Sequence, residues 1–217
     1  MLGNDLNQRT DKNFIVTIGR QFGSGGRKIA KKVADMLEIE FYDKNLIALA
    51  AKESGLSENL FDGIDEKPTN SLLYSLVMGL QSDRGNFYRY NDVLNTDSIF
   101  RIQSQVIQDL ASNKSCVIVG RCSDYVLREQ KNLANVFIHA NMDFKVERVM
   151  RIYHLSEKEA IETIKKTDKK RSNYYNFYTN QEWGMVDNYH IALDSSSLGI
   201  DSSARIICDF VREKFNI

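Results

Sequence analysis

The chain has 217 residues, of which 42% are hydrophobic and 27% charged, as expected for a globular protein that buries a core without disulfides or metals. Lys+Arg and Asp+Glu number 29 each, so no overall field favours nucleic acid or anionic membrane, and any anion recognition must be local. The polar first residues, the lack of a long apolar run and the three scattered cysteines lead us to expect a cytoplasmic protein without signal peptide, membrane span or disulfide framework.

The first predicted elements are a buried strand, a glycine-rich turn and an amphipathic helix. Residues 14–18, "FIVTI", form a short β-branched and aromatic run that predicts the strand, and "RKIAKKVADMLEI" carries its apolar residues on one helical face. "IEFYD" predicts a second strand, whereas "KNLIALAAKESG" and "SENLFDGI" predict helices. Residues 65–97 lose this periodicity, although "NSLLYSLVMGL" within them has helical spacing, and we interpret them as an insert in the domain.

The second half of the chain alternates regularly between helices and strands. The predicted strands are "SCVIVG", "NVFIHA" and "YHIALD". The predicted helices are "SIFRIQSQVIQDLA", "SDYVLREQ", "DFKVERVMRIYHL" opened by Asp143, "SEKEAIETIKKTDKKR" with a capping box at Ser156 and Glu159, and "SSARIICDFVREKF". This alternation predicts an α/β fold with a parallel sheet covered on both faces, and Cys116 and Cys208, which lie in apolar runs, are expected in its core.

The turn "GRQFGSGGRK" after the first strand is the main candidate for a binding site. Its small residues permit positive φ angles, so backbone N–H groups can face an anion at the start of a helix. The standard phosphate-binding loop, G-x-x-x-x-G-K-[ST], fits poorly, because Arg20 takes the place of the first glycine, Gly26 that of the lysine and Arg27 that of the hydroxyl residue. The turn is therefore either a modified phosphate cradle, with Arg27 or Lys28 supplying the missing charge, or a tight turn beside incidental basic residues.

Four blocks of sequence together resemble a known family. They are "VTIGRQFGSGGRKIAKKVADML", "FYDKNLIALAAKESG", "VIVGRCSDYVL" and "DKKRSNYYNFYTNQEWGMVDNYHIALDSS". In order and spacing they resemble the cytidylate kinase-like family of P-loop nucleoside monophosphate kinases, and in particular a branch with "GSGG" in place of "GSGKT". The resemblance implies a three-layer α/β/α P-loop NTPase fold with a five-stranded parallel sheet. It also implies one domain over residues 1–217, with a core in 13–64 and 98–214, an acceptor-side helical insert in 65–97 and a lid in 156–183.

The same resemblance implies a donor site and an acceptor site. The donor phosphates would lie on the loop residues Gly23, Ser24, Gly25, Gly26, Arg27 and Lys28. The acceptor would meet Asp43, Arg101 and Arg121, since arginine forks bind phosphate oxygens in pairs. Asp43 could equally cap the next helix, and Arg101 could lie on a solvated face.

Two family features are altered after the strand "CVIV". Val119 and Cys122 stand where the "DGRD" block of the family has acidic residues, while Asp124 is nearby but displaced in sequence. A carboxylate near this strand end usually helps to hold magnesium. We therefore assign no metal ligands.

The lid resemblance implies the catalytic residues. Arg171 is the first candidate to stabilise charge on the transferring phosphoryl group, followed by Lys166 and Lys170. Asp168 would orient one of these cations. Without the resemblance, this charge run would be interpreted as a solvated helix end.

Three functions remain open on the sequence alone. The favoured one is ATP-dependent phosphoryl transfer to CMP or a related small acceptor, with Mg²⁺. The second is a nucleotide-binding or phosphate-binding module with weak or no activity. The third, nucleic-acid binding through "KKTDKKRSNYYNFY", is opposed by the net neutrality and the lack of a recognition motif, so we expect neither nucleic acid nor membrane as a partner. The three histidines suggest no nucleophilic triad or metal constellation.

Overall fold

The computed structural model describes residues 13–45 and 90–217, with side chains from 99 onward in the second range. Its centre is a sheet of five strands that are all parallel, in the order β2-β3-β1-β4-β5. The strands are β1 (Ile15–Arg20), β2 (Glu40–Tyr42), β3 (Cys116–Val119), β4 (Leu133–His139) and β5 (Ile191–Asp194). The chain turns to opposite sides after β1 and after β3, so their carboxyl ends flank the crevice in which open α/β sheets bind ligands.

Helices of very different lengths connect and follow these strands. They are α1 (Gly26–Leu37), α2 (Tyr90–Asn113), α3 (Ser123–Val126), α4 (Met142–Tyr153), α5 (Glu157–Thr179) and α6 (Ser195–Phe215), with a 3₁₀ turn at Val186–Asn188. Within residues 13–45 and 90–217, every helix is too short or too polar to cross a bilayer.

The core lies on both faces of the sheet, because alternate residues of a strand point to opposite sides. Val16, Ile18, Val117 and Val119 face α1 and α6, where the buried Ile207 lies. On the other face, β1 and β3 pack against α2 and α3 through Ile15, Cys116, Ile118, Val106, Ile107 and Leu127. These two apolar layers complete a three-layer α/β/α architecture.

The structure confirms most of the predicted elements and corrects several boundaries. The capping box at Ser156 and the buried positions of Cys116 and Cys208 are confirmed. The expectation that Asp143 opens α4 is wrong: Asn141 is the N-cap, because its side chain accepts a hydrogen bond from the amide of Phe144.

Three elements are longer than predicted. Helix α5 continues through the aromatic stretch to Thr179, since its apolar positions pack inward. Helix α6 begins at Ser195, with a break at Gly199, whose φ is 72°. Helix α2 starts at Tyr90, within the last part of the predicted insert. The helix predicted from "KNLIALAAKESG" is described only at its first two residues, which are helical. The rest of it, the helices predicted from "SENLFDGI" and "NSLLYSLVMGL" and the remainder of 65–97 lie outside the described residues.

The packing of α6 against the sheet gives a stability prediction with a neighbouring control. Ile207 is 0% exposed, whereas Ile206 is 36% exposed. We expect Ile207→Ala to lower the free energy of unfolding by about 2–5 kcal/mol, because it leaves a cavity in the core. Ile206→Ala should lower it by less than about 1 kcal/mol. Urea unfolding followed by circular dichroism measures both, and equal losses would contradict the described packing of α6.

Candidate active site

The loop between β1 and α1 has the backbone geometry of an anion cradle. Gly23 and Gly25 have φ angles of 84° and 79°, a left-handed conformation that glycine adopts without strain. Ser24 is buried, and its hydroxyl donates to the carbonyl of Gln21 and accepts from the amide of Gly26. In the part of the chain that the structure describes, no acceptor pairs with the backbone N–H groups of Gly23, Ser24, Gly25, Arg27 and Lys28. Unpaired amides at a helix N-terminus are suited to bind phosphate oxygens.

Neighbouring elements hold this loop in place. The hydroxyl of Ser195, the first residue of α6, donates to the carbonyl of Ser24 at 2.7 Å. Asp168 on α5 accepts from the amide of Phe22 at 2.7 Å. A side chain at Gly25 would collide with Ile200. The cradle is therefore held from both sides by contacts within the protein.

Lys145 also contacts the loop, and the sequence did not predict this contact. It is buried on α4, and its Cβ lies 2.9 Å from where a Cβ on Gly23 would be. Its ammonium group donates to the Gln21 side chain at 3.2 Å and lies 3.9 Å from Asp168. No pattern in the sequence points to Lys145, because one lysine on an amphipathic helix is normally solvated.

Three arginines converge at the crevice between β1 and β3. Arg171 on α5 donates to the backbone carbonyl of Arg20 at 3.0 Å. Burial, together with the nearby guanidinium groups of Arg171 and Arg121, lowers the pKa of Arg20 well below its usual value. Burial also lowers the pKa of Arg121. The carboxylates of Asp43 and Asp168 raise the pKa of Arg20 in turn. The three arginines and these two carboxylates therefore form one electrostatic cluster.

Lys44 adds to this positive charge. Burial and the nearby Arg121 lower its pKa, and Arg20 and Arg171 contribute in the same direction. Arg20 and Lys44 are therefore two further cations at the site that sequence reasoning did not assign. Their proximity depends on how β1, β2 and β3 lie side by side, which local pattern does not reveal.

The turn after β3 has an unusual backbone. Gly120, Arg121 and Cys122 follow one another with φ angles of 73°, 61° and 54°. A non-glycine residue in this left-handed region is strained by about 1–3 kcal/mol, and such strain clusters at functional sites. The turn places Arg121 beside the buried hydroxyl of Tyr174 on α5.

Asp43 makes the helix-capping contact, which is one of the two alternatives that the sequence left open. One carboxylate oxygen pairs with Arg27 at 2.7 Å, and the other accepts from the amide of Asn45 at 3.0 Å, which is a helix-capping contact. Asp43 is buried, whereas the Arg27 side chain is 69% exposed. Arg27 therefore points toward β2, and the capping role does not exclude an acceptor contact.

The remaining predicted residues lie on outer surfaces. Lys28, Arg101 and Lys166 are exposed on α1, α2 and α5 respectively. Arg171, Asp168, Arg121 and the loop are brought together at one edge of the sheet, as the resemblance implies. The roles of the exposed cations stay predictions.

Aromatic side chains join α2 to α5 beside this edge. Phe100 stacks on Tyr178 with ring centroids 4.1 Å apart, and Tyr174 lies 4.8 Å from Tyr178. The Tyr174 hydroxyl is buried beside Arg121. The side-chain carbonyl of Gln103 is buried with no hydrogen-bond partner among the described residues. Tyr174 and Tyr178 therefore pack between the two helices.

The described residues do not fit a magnesium ion held by protein side chains. Arg27 replaces the loop hydroxyl, and Val119 at the end of β3 is buried in the core. Asp43 is paired with Arg27, and Asp124 accepts a hydrogen bond from the Tyr175 hydroxyl at 2.8 Å. Within residues 13–45 and 90–217, no three His, Cys, Asp or Glu side chains form a metal-binding group.

Comparison with solved structures identifies the fold. The shikimate kinase from Bacteroides thetaiotaomicron superposes with a TM-score of 0.52 at 13% identity, over 92% of this chain and 98% of that chain. The shikimate kinase from Acinetobacter baumannii, solved in complex with shikimate, gives 0.51 at 11% identity, over 94% and 95%. Together with the five-stranded parallel sheet, these similarities define a P-loop kinase fold.

The family follows from the sequence itself. The profile of the cytidylate kinase-like family matches residues 15–197, and the chain belongs to that family. A crystal structure described as an uncharacterized protein from Eubacterium ventriosum ATCC 27560 is 28% identical, with a TM-score of 0.69 over 92% of this chain and 98% of that chain. No curated protein matches the chain significantly.

The contact between Asp124 and Tyr175 gives a pH prediction. Burial raises the pKa of Asp124 above its usual value, so the folded state binds a proton more tightly than the unfolded chain. The free energy of unfolding therefore falls as pH rises from the unfolded pKa of about 3.9 to the raised folded value.

Asp124→Asn removes this titration while keeping an acceptor for the Tyr175 hydroxyl. We expect the stability of the wild type relative to Asp124→Asn to decrease across that window and then to level off. Denaturant unfolding of both proteins between pH 4 and 7 measures the difference. A difference that does not change with pH would show that the carboxyl is not desolvated.

Proposed function

We propose that the protein is an ATP-dependent phosphotransferase that moves the γ-phosphoryl group to CMP or a related small acceptor. One observation supports this most: the unpaired loop amides and the converging Arg20, Arg121 and Arg171 lie at the same crevice of a P-loop kinase fold. Phosphoryl transfer depends mainly on positioning and on neutralising charge, which is what backbone amides and guanidinium groups supply.

Each predicted residue has a role consistent with its position. The loop amides bind the donor phosphates, as expected for a helix N-terminus. Arg171 lies on α5 and reaches the end of β1, so it is suited to stabilise charge on the transferring group. Asp168 lies 3.8 Å from Arg171 and accepts a hydrogen bond from the amide of Phe22. It therefore orients both that arginine and the loop. Lys166, exposed on α5, is a second cation of the lid.

The acceptor site lies on the β2 and β3 side of the crevice. Arg121 follows β3, Asp43 follows β2, and Arg101 is on α2. An arginine at this place binds an acceptor phosphate in a bidentate manner and keeps its charge at all physiological pH values. Magnesium, when it accompanies the nucleotide, supplies further neutralisation of phosphate charge, and the phosphates rather than the described side chains would hold it.

A second candidate is a nucleotide-binding or phosphate-binding module with little turnover. It is favoured by the convergence of three changes at the donor site: Gly26 for the lysine, Arg27 for the hydroxyl residue and Val119 for the acidic residue. The pairing of Asp43 and Asp124 with protein groups points the same way. Each such change lowers the rate without abolishing the cradle.

Two measurements separate these candidates. Isothermal titration with ATP, ADP and CMP measures binding, and a coupled ADP-release assay with a panel of small acceptors measures turnover. Acceptor-dependent ADP release supports the kinase. Tight binding without release supports the module, and no binding of any nucleotide contradicts both.

The position of Arg171 gives a kinetic prediction. We expect Arg171→Ala to lower kcat by on the order of 10²–10³-fold, with a smaller change in the Kd for ATP, because its charge acts mainly in the transition state. Lys165→Ala, an exposed position on the same helix, is the matched control and should leave kcat unchanged. Thermal unfolding of both variants checks that the loop contact of Arg171 is not needed for folding. An unchanged kcat in Arg171→Ala would remove its assigned role.

A further inference from the structure

Arg20 and Gly26 together reverse the usual order of a phosphate-binding loop. In the pattern G-x-x-x-x-G-K-[ST], the first position is a glycine and the seventh is the lysine that reaches the terminal phosphates. Here the first position is Arg20 and the seventh is Gly26. A cation and a glycine have changed places.

The geometry explains why both changes occur together. A Cβ atom on Gly26 would lie 2.5 Å from the Cβ and 3.0 Å from the Cγ of Arg20. The arginine side chain therefore fills the space into which a side chain at position 26 would extend. A lysine at 26 and an arginine at 20 are mutually exclusive in this backbone.

The far end of Arg20 lies against β3. Its guanidinium group occupies the space that a Cβ on Gly120 would need, so Gly120 also accommodates this arginine. The side chain thus runs from the start of α1 to the carboxyl end of β3. That path crosses the crevice between the loop and the turn that carries Arg121.

Among residues 13–45 and 99–217, the guanidinium of Arg20 donates no hydrogen bond, although Asp43 and Asp168 attract it electrostatically. The nearby Asp168 accepts a hydrogen bond from the amide of Phe22, and the nearby Asp43 forms an ion pair with Arg27. The backbone carbonyl of Arg20 is fixed by Arg171, which holds the residue in position. The guanidinium of Arg20 therefore lies beside Gly120, at the carboxyl end of β3, with donors that are not taken up by these residues.

We propose that Arg20 supplies, from the first position of the loop, the positive charge that a lysine supplies from the seventh position in standard loops, and binds the terminal phosphate oxygens of a nucleoside triphosphate. This inference rests on the proposed function of the same site. It differs from the sequence expectation, which gave the charge to Arg27 or Lys28. Arg27 is turned toward Asp43, and Lys28 is exposed on α1.

The test moves the cation back to its usual position. Four proteins are compared by isothermal titration with ATP and with AMP: the wild type, Arg20→Gly, Gly26→Lys and the double variant R20G/G26K. We expect Arg20→Gly to weaken ATP binding by about 10- to 100-fold, as for loss of charge-assisted hydrogen bonds, while AMP binding changes little. Gly26→Lys alone should lower Tm through its collision with Arg20.

The double variant removes that collision and restores a cation. We expect it to bind ATP at least about tenfold more tightly than Arg20→Gly and to recover the Tm lost in Gly26→Lys. A double variant that binds ATP no better than Arg20→Gly would overturn the proposal, since the two positions would then not be interchangeable.

A second pair of variants covers the case in which Gly26→Lys does not fold. Arg20→Met keeps the length of the side chain without its charge, and Arg20→Lys keeps the charge. The proposal is supported if Arg20→Met loses affinity for ATP and Arg20→Lys keeps it. Arg205→Met, at an exposed arginine of α6, is the control and should bind ATP as the wild type does.

The outcomes distinguish this inference from the proposed function. If the wild type binds ATP and Arg20→Met binds it equally well, only the role of Arg20 is overturned. If the wild type binds neither ATP nor inorganic tripolyphosphate, the proposed function fails and this inference fails with it.

Discussion

The arrangement of the site depends on the repulsion between three neighbouring guanidinium groups. Arg20, Arg121 and Arg171 come close enough, away from water, for two of them to lower the pKa of the third. Asp43 and Asp168 offset part of this repulsion, but each is also engaged by another protein group. A phosphate chain is the natural counterpart of such a cluster, because it brings several negative charges on one ligand.

The fold itself was largely predictable, because its signals are local. Alternating strands and helices, the continuous apolar run of β3 and the capping box at Ser156 each depend on neighbouring residues, and all are confirmed. Boundaries depended on contacts that are distant in sequence. The predicted helix ended at Arg171, whereas α5 continues to Thr179, and Tyr174, Tyr175 and Tyr178 in this continuation pack against other elements.

The site was predictable only in part. The glycines of the loop, Arg121 and Arg171 follow strand ends or family blocks, so their positions could be inferred from sequence. Arg20, Lys44 and Lys145 could not, since their importance comes from where a long side chain lies in three dimensions. Arg20 was visible in the sequence only as a misfit to the loop pattern. Its side chain shows that the misfit at Gly26 has the same cause.

The hydrogen bond between Asp168 and the amide of Phe22 has a mechanical consequence. It ties the helix that carries Arg171 directly to the loop between β1 and α1. Any outward swing of that part of α5 must break this bond, and the loop loses one of its anchors at the same moment. Retraction of the arginine and loosening of the loop are therefore coupled in one event, in which a single carboxylate–amide hydrogen bond is broken.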